Sequence, residues 1–301
     1  MAVRLGGRVF LGGLVGVAIA AALSARLVSP EPNPADDWHL VVLGIAQDGG
    51  IPQLGCEEPI CVAIRSGQRK PERVASIGLI NPTLKRAYLI DATPDFVSQV
   101  DSLTGGRLPD GILLTHAHIG HYTGLMYLGR EAVDAKHVPV WGTERMRAFL
   151  TNNGPWSLLV TRQNIDLHDL SPGQPTSLGD GLTVTAYPVP HRDEFTDTVG
   201  FLIEGPHKKV LYIPDIDGWD QWSRDIRQMV DRVDVAFLDG TFASADELPG
   251  RPMAEIPHPL MPITRELLRG TRARVWFIHL NHTNKEIDAP DVARDGMSFA
   301  M

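Results

Sequence analysis

The chain has 301 residues, which is enough for one large domain or two small ones. Its composition is that of a globular protein, with 43% hydrophobic residues and a formal net charge of −8. An acidic chain without a dense run of Lys and Arg is not expected to bind nucleic acid, so we expect a small-molecule substrate. Composition leaves the oligomeric state open.

The N-terminus predicts an export signal. Arg4 and Arg8 precede an uncharged run at 9–23 that is rich in Leu, Val, Ala and Gly, and small residues follow it. The run is short for a membrane span, which needs about 20 apolar residues, so a cleaved signal is preferred over an anchor. We expect the folded domain in the periplasm, either secreted or anchored in the membrane and facing that compartment. The predicted segments are a signal or anchor (1–25), a linker (26–37) and a folded domain (38–301).

Hydrophobic periodicity and turn residues predict the elements in chain order. Strands are predicted at 38–45, 75–80, 86–90, 110–114, 138–141, 182–187, 198–204, 209–213, 234–238 and 275–278. Helices are predicted at 94–103, 122–133, 143–152, 220–230 and 263–268, and loops at 46–55, around 155–156 and at 243–257. Both halves of the chain combine strands with helices and place polar residues at strand ends.

A group of three histidines, at 116, 118 and 121, directly follows the buried strand predicted at 110–114. Alternate side chains of an extended segment point the same way, so His116 and His118 face one side. His121 falls where the next helical pattern begins. Because imidazole is a common ligand of zinc and other borderline divalent ions, the spacing predicts a metal site on this loop.

Further side chains that bind metals stand at the ends of other predicted strands. His191 follows the strand at 182–187, Asp215 follows 209–213, and His279 follows 275–278. A rigid scaffold builds a site by collecting side chains from separate strands at one edge. The sequence therefore adds His191, Asp215 and His279 to the candidate ligands.

Cys56 and Cys61 are the two cysteines of the chain, and two interpretations remain open for them. In an oxidising compartment, cysteines five residues apart can form a disulfide. Glu58 lies between them, and the set would also suit a structural zinc if a fourth ligand comes from elsewhere.

The histidine loop, followed by Thr-Gly-Leu, resembles the His-x-His-x-Asp-His signature of metallo-β-lactamase-fold hydrolases. The order of a lone His191, Asp215 and a final His279 is also similar. Two branches are most similar: one includes protein B of pyrroloquinoline-quinone biosynthesis, which LGIAQDGGIPQLGC and HLNHTN resemble, and the other contains phosphodiesterases. The resemblance covers about residues 39–284 and implies an α+β fold, an αββα four-layer sandwich with metals at one edge.

The resemblance implies two metal sites that share Asp215. The ligand sets it implies are His116, His118 and His191 for the first site and His121 and His279 for the second. The aspartate of the family signature is Gly120 here, which removes one ligand from the second site. We therefore expect one tightly held zinc and a second metal that is weak or absent, and Gly120→Asp to strengthen the second site. Iron or manganese suits the same ligand types.

Two more histidines gain candidate roles from the resemblance. His258, in a Pro-His-Pro turn, resembles the histidine that phosphodiesterase relatives bring near the leaving group, so His258 and Asp215 are the candidate catalytic residues. His282 stands three residues after His279, where one relative of the phosphodiesterase branch, the enzyme of the carbon–phosphorus lyase pathway, has a structural zinc ligand. It would complete a zinc set with Cys56, Glu58 and Cys61.

These features predict a metal-dependent hydrolase of an ester or phosphodiester. Two alternatives remain. One is a protein similar to protein B of pyrroloquinoline-quinone biosynthesis that binds, transports or oxidises a pathway intermediate. The other is a metal-binding protein without turnover.

Overall fold

The computed structural model describes residues 37–248 and 255–301, together with the isolated positions 2, 6, 7 and 252. Residues 33–301 form a unit of their own. Apart from positions 2, 6 and 7, the predicted signal or anchor lies outside the described residues, as does nearly all of the predicted linker. Within the described ranges, no helix has the length and apolar character needed to cross a bilayer.

Two sheets organise the described part of the chain. The first has seven strands, antiparallel from β13 to β3 and parallel from β3 to β6. Its order is β13 (Ser298–Ala300), β1 (His39–Gly44), β2 (Ser76–Asn81), β3 (Arg86–Ile90), β4 (Gly111–Leu113), β5 (Val138–Gly142) and β6 (Ile165–Asp169).

The second sheet has six strands, parallel from β12 to β10 and antiparallel from β10 to β7. Its order is β12 (Arg274–Ile278), β11 (Val235–Asp239), β10 (Lys209–Ile213), β9 (Thr198–Glu204), β8 (Leu182–Val189) and β7 (Pro175–Gly179). The parallel half of each sheet lines up several strand ends at one edge.

Short helices connect these strands. They are α1 (Pro59–Arg65), α2 (Phe96–Thr104), α3 (Ile119–Tyr122), α4 (Glu144–Asn152), α5 (Trp156–Thr161), α6 (Ile226–Val230) and α7 (Met261–Leu267), with a 3-10 helix at Thr123–Leu128. The helix predicted at 122–133 was wrong, because the chain tightens into the 3-10 helix and becomes extended at Gly129. The sequence did not predict α1. Helix α5 begins in a predicted loop, with Pro155 at its N-cap position. Proline is tolerated there because the N–H group that it lacks would have no partner within the helix.

The helix predicted at 220–230 was also wrong at its start. The helix begins at Ile226, where the Asp225 carboxylate accepts hydrogen bonds from the first backbone N–H groups. The apolar side chain of Trp222, which suggested an earlier start, packs with that of Trp219 in the outer core of the second sheet, where the backbone is not helical.

The packing of alternate side chains shows the four layers that the family resemblance implies. In β10, Val210 and Tyr212 point into the core between the two sheets, whereas Leu211 and Ile213 point into a second core under α6. The first sheet likewise buries Leu89 and Ile112 in an outer core under α2 and α4. Each sheet is therefore covered by helices on its outer face, which is the αββα order.

Candidate metal centre

The buried carboxylate of Asp91, which follows β3, anchors the histidine loop. It accepts hydrogen bonds from Thr115 N (2.8 Å) and Thr115 Oγ1 (2.9 Å), and Nδ1 of His121 lies 2.8 Å from its Oδ2. Asp91 has a φ of 68°, which residues other than glycine rarely adopt. Its hydrogen bonds hold this conformation, as is common beside functional sites.

The first cluster of converging side chains consists of His116, His118, His191 and Asp215. Nε2 of His116 lies 3.0 Å from Nδ1 of His118 and 3.4 Å from Oδ2 of Asp215. Nε2 of His191 lies 3.2 Å from the same Nδ1 and 3.3 Å from the same Oδ2. Ligand atoms bonded to a tetrahedral zinc at about 2.0–2.1 Å lie about 3.3 Å apart, so this donor set fits the ion.

Neighbouring carboxylates orient two imidazoles of the first cluster. Nδ1 of His191 lies 2.8 Å from Oδ1 of Asp217, which leaves Nε2 facing the cluster. His118 has the opposite orientation, since its Nε2 lies 3.1 Å from Oε2 of Glu194 and its Nδ1 faces the cluster. A carboxylate that accepts the outer N–H fixes the tautomer whose other nitrogen can bind a metal.

The second cluster consists of Asp48, His121 and His279. Oδ1 of Asp48 lies 3.4 Å from Nε2 of His121 and 3.8 Å from Nε2 of His279. These three atoms are buried, and none has a hydrogen-bond partner. Oδ2 of Asp215 lies 3.9 Å and 3.8 Å from the same two nitrogens, so it is shared by both clusters. Buried polar atoms need a partner, and a cation between them would satisfy all of them.

Asp48 is the site residue that the sequence analysis missed. It lies in a loop after β1, far from His121 in the chain, and the loop was assigned no chemistry. A signal was present, because Asp48 follows a buried strand as Asp91 and Asp215 do. The structure therefore places Asp48 beside the two histidines and the share of Asp215 that the sequence analysis expects at the second site.

The predicted proton donor, His258, lies beside both clusters and forms a third group with Asp215 and Asp239. Its Nδ1 lies 2.8 Å from Oδ2 of Asp239 and 3.5 Å from Oδ1 of Asp215. Its Nε2 is buried and has no hydrogen-bond partner. The ring centroid lies 5.8 Å from that of His191 and 6.2 Å from that of His279, so His258 borders the first and second clusters alike.

Burial and charge compete in setting the pKa values of the centre. Burial lowers the pKa of His191, but the carboxylates of Asp215 and Asp217 outweigh it and raise this pKa to about 10. Burial also opposes a charge on His121, yet two neighbouring carboxylates raise its pKa well above the usual value. Burial raises the pKa of Asp48, but two imidazoles hold it well below its usual range. Burial also raises the pKa of Asp215, but the neighbouring imidazoles hold it well below its usual range, so the carboxylates of Asp48 and Asp215 are ionised and attract positive charge to the centre.

A cavity of about 320 Å³ adjoins the second cluster, and Asp48 forms part of its wall. The apolar part of the wall includes Ile119 and Phe242, and the polar part includes Asn281 and His282. Its volume is in the range of small-molecule sites. Within the described residues, no Lys or Arg lines it.

Cys56 and Cys61 form a disulfide, with a Cα–Cα distance of 6.1 Å. The structure therefore contains the first of the two predicted alternatives, and the structural zinc set was wrong, because bonded sulfurs are not free to bind a metal. Glu58 and His282 belong to none of the converging ligand groups in the described residues. His282 borders the cavity instead, and its Nδ1 is buried without a hydrogen-bond partner.

Comparison with known proteins gives the same picture. A family model described as a beta-lactamase superfamily domain matches residues 86–280, and Asp48 lies before this match. Coenzyme PQQ synthesis protein B of Methylobacterium nodulans is 26% identical over 308 residues, which cover 87% of this chain and 99% of that protein.

Two solved structures are similar in fold. Zn²⁺-bound PqqB from Methylobacterium extorquens has a TM-score of 0.73 and 22% identity, covering 87% of this chain and 100% of that one. A diphosphatase from the PhnP family has a TM-score of 0.63 and 20% identity, covering 87% of this chain and 96% of that one. The resemblance that the histidine loop suggested is therefore confirmed. Since the family model spans more than half of the sequence and the two-sheet fold agrees with it, the chain belongs to the metallo-β-lactamase-fold branch of the beta-lactamase superfamily.

Proposed function

We propose that this protein is a metal-dependent hydrolase that cleaves an ester or a phosphodiester in a small molecule. The observation that carries the proposal is that two ligand clusters share Oδ2 of Asp215 beside a cavity. When bound, zinc supplies Lewis acidity and lowers the pKa of its coordinated water to about 7.

The residues of the chain supply the remaining chemistry. Asp215 contributes one carboxylate oxygen to both clusters. His258 donates a proton to the leaving oxygen of the substrate. Burial lowers the pKa of His258, but Asp239 outweighs it and raises this pKa, so the ring carries the proton that it donates. Asp239 accepts from Nδ1 and leaves the buried Nε2, which has no hydrogen-bond partner, as the nitrogen that would donate the proton.

The cavity supports a small substrate and favours binding through shape and neutral polar groups. Ile119 and Phe242 offer an apolar surface, and Asn281 offers an amide. Within the described residues the wall offers no Lys or Arg to a phosphodiester, so the metal centre is the charged partner that these residues provide. Esters and lactones therefore belong in the substrate panel beside phosphodiesters.

The test is hydrolysis by the purified full-length protein after reconstitution with zinc. Its panel contains a carboxylic ester, a lactone and a phosphodiester. His116→Ala removes a ligand of the first cluster and should abolish turnover, whereas His168→Ala removes an exposed imidazole outside all three clusters and should leave it unchanged. Equal activity of the His116→Ala variant would refute the proposal.

A second candidate function follows from the similarity to PQQ synthesis protein B, which extends over nearly the whole length of that relative. The centre would then bind, transport or oxidise a small pathway intermediate, and three imidazoles with one carboxylate can hold iron as well as zinc. Metal analysis of the protein as purified distinguishes the hydrolase from this second candidate. The hydrolase should contain zinc and hydrolyse a substrate, whereas an oxidase should contain iron and consume oxygen when its substrate is present. Metal binding without either activity would leave the third candidate, a non-catalytic metal protein.

Export remains part of the proposal. The basic start and the apolar run at 9–23 support it, and the Cys56–Cys61 disulfide suits an oxidising compartment such as the periplasm. N-terminal sequencing of protein from a periplasmic fraction should find a start near Arg26. An intact Met1 in the cytosolic fraction would contradict this proposal.

A further inference from the structure

Asp48 occupies the space that a side chain at position 120 would need. A Cβ atom built on Gly120 would lie 2.1 Å from Oδ1 of Asp48 and 2.7 Å from its Cα. Real side chains do not approach this closely, so an aspartate at 120 and the present Asp48 exclude each other. Gly120 does not have a positive φ, so the reason for glycine here is space.

The carboxylate of Asp48 is also directed where a ligand is needed. Its Oδ1 faces Nε2 of His121 and Nε2 of His279, at 3.4 Å and 3.8 Å. Both imidazoles are fully buried, and all three atoms lack a hydrogen-bond partner. A carboxylate placed only to fill space would be expected to pair with a donor, as Asp91 does with Thr115.

The backbone holds Asp48 in this position. Gln47 N donates to Leu280 O at 2.8 Å, and Leu280 N donates to Ile45 O at 2.7 Å. These bonds tie the loop to the residue that follows His279. The ligand atom is therefore carried on backbone that is fixed relative to its partner imidazole, which is the arrangement a preorganised metal site requires.

We propose that Asp48 is the carboxylate ligand of the second metal and has taken over the role that the family signature gives to position 120. The second site is then complete, with Asp48, His121, His279 and the shared Oδ2 of Asp215. The chain binds two metals of comparable affinity, in contrast to the single tight metal expected from the sequence.

The relocation also connects the second metal to the cavity. Asp48 forms part of the cavity wall together with Gln47 and Gln53 of the same loop. A substrate that contacts this loop therefore contacts the residue that holds the metal.

The test is zinc stoichiometry and affinity, measured by equilibrium dialysis and elemental analysis of the full-length protein after metal removal and titration with zinc. Wild type should bind two zinc ions per chain. Asp48→Asn, which keeps the shape of the side chain, should retain one tight ion and bind the second more weakly. The loss should exceed the roughly 10–100-fold that is typical when only the hydrogen-bond partner of a metal ligand is removed. Glu57→Gln is the matched control, since it removes an exposed carboxylate from the same loop and should keep both ions.

A swap of the two positions makes the test specific. Gly120→Asp alone, which the sequence analysis expects to strengthen the second site, should instead lose the second ion, because its side chain collides with Asp48. The double variant Asp48→Gly with Gly120→Asp should recover it. The electronic spectrum of bound Co²⁺ reports the second site without any activity measurement, and thermal unfolding shows that each variant is folded.

The outcomes separate this inference from the proposed function, on whose metal binding it rests. One tight ion in wild type, or two in Asp48→Asn, would overturn the role of Asp48 and leave a hydrolase with a single metal intact. No bound metal in wild type would refute the proposed function as well.

Discussion

Asp91 determines which nitrogen of His121 can bind a metal, and a single substitution tests this. The carboxylate lies 2.8 Å from Nδ1 of His121 and accepts hydrogen bonds from Thr115 N and Oγ1. When Nδ1 of His121 carries the ring proton, it donates to the Asp91 carboxylate, as the two Thr115 groups do. Nε2 then keeps the lone pair that faces the second cluster.

In Asp91→Asn, one oxygen becomes an NH₂ group, and both orientations of the amide fail. If the NH₂ group faces His121, Nδ1 must accept and the ring proton moves to Nε2, the ligand atom. If it faces Thr115, two donors oppose each other in a buried site. We expect the second metal to bind about 10–100-fold more weakly, which is about 1.4–2.7 kcal/mol.

The matched control is Asp217→Asn, because Asp217 has the same relation to His191 in the first cluster. Zinc titration with Co²⁺ spectroscopy should show a weakened second site in Asp91→Asn and a weakened first site in Asp217→Asn. A folded Asp91→Asn protein with an unchanged second zinc affinity would show that Asp91 serves only the loop backbone.

Three further predictions concern the proton donor, the pH dependence of zinc binding and the disulfide. His258→Gln should lower kcat for ester or phosphodiester hydrolysis by about 10²–10⁴-fold with zinc content unchanged, and an unchanged kcat would remove its role as proton donor. Zinc affinity should fall as the pH falls from about 8 to about 6, because binding must displace protons from His121 and from His191, whose pKa is about 10. Calorimetry in two buffers should detect the release of protons on zinc binding. No proton release would contradict the raised pKa values of these two histidines. Cys56→Ser with Cys61→Ser should lower the free energy of unfolding in urea by about 2 kcal/mol, the loop-entropy value for so short a loop, and equal stability would mean that the disulfide does not constrain the unfolded chain.

The sequence predicts the strands well where both faces are buried. β9 and β10 coincide with their predicted bounds, because each is a mainly apolar run and the turn at Gly205 separates the two. Edge strands such as β7 and β13 were not predicted, since short strands with exposed residues have little pattern. The start of α6 was misplaced because Trp222 is apolar for tertiary packing and not for helical periodicity.

The candidate site could be predicted where its ligands belong to one short motif or directly follow a buried strand. His116, His118 and His121 needed only local spacing, and His191 and His279 only strand ends. Asp48 also follows a buried strand, but that signal does not place it beside Gly120, because their relation is a contact between two loops. The glycine marks the space, but only the fold shows which side chain fills it.

The centre belongs to both sheets, and this explains how a ligand can move between positions. His121 and Asp48 follow strands of the first sheet, whereas Asp215 and His279 follow strands of the second. The loops that carry Asp48 and Gly120 meet at the second cluster, so a carboxylate can reach it from position 48 or from position 120 without a change in the strands. What the chemistry requires is one oxygen between two imidazoles, and the edge of the sandwich offers more than one backbone route to that point. A motif with a missing residue is therefore weak evidence for a missing ligand in this fold, because the neighbouring loop can supply the atom.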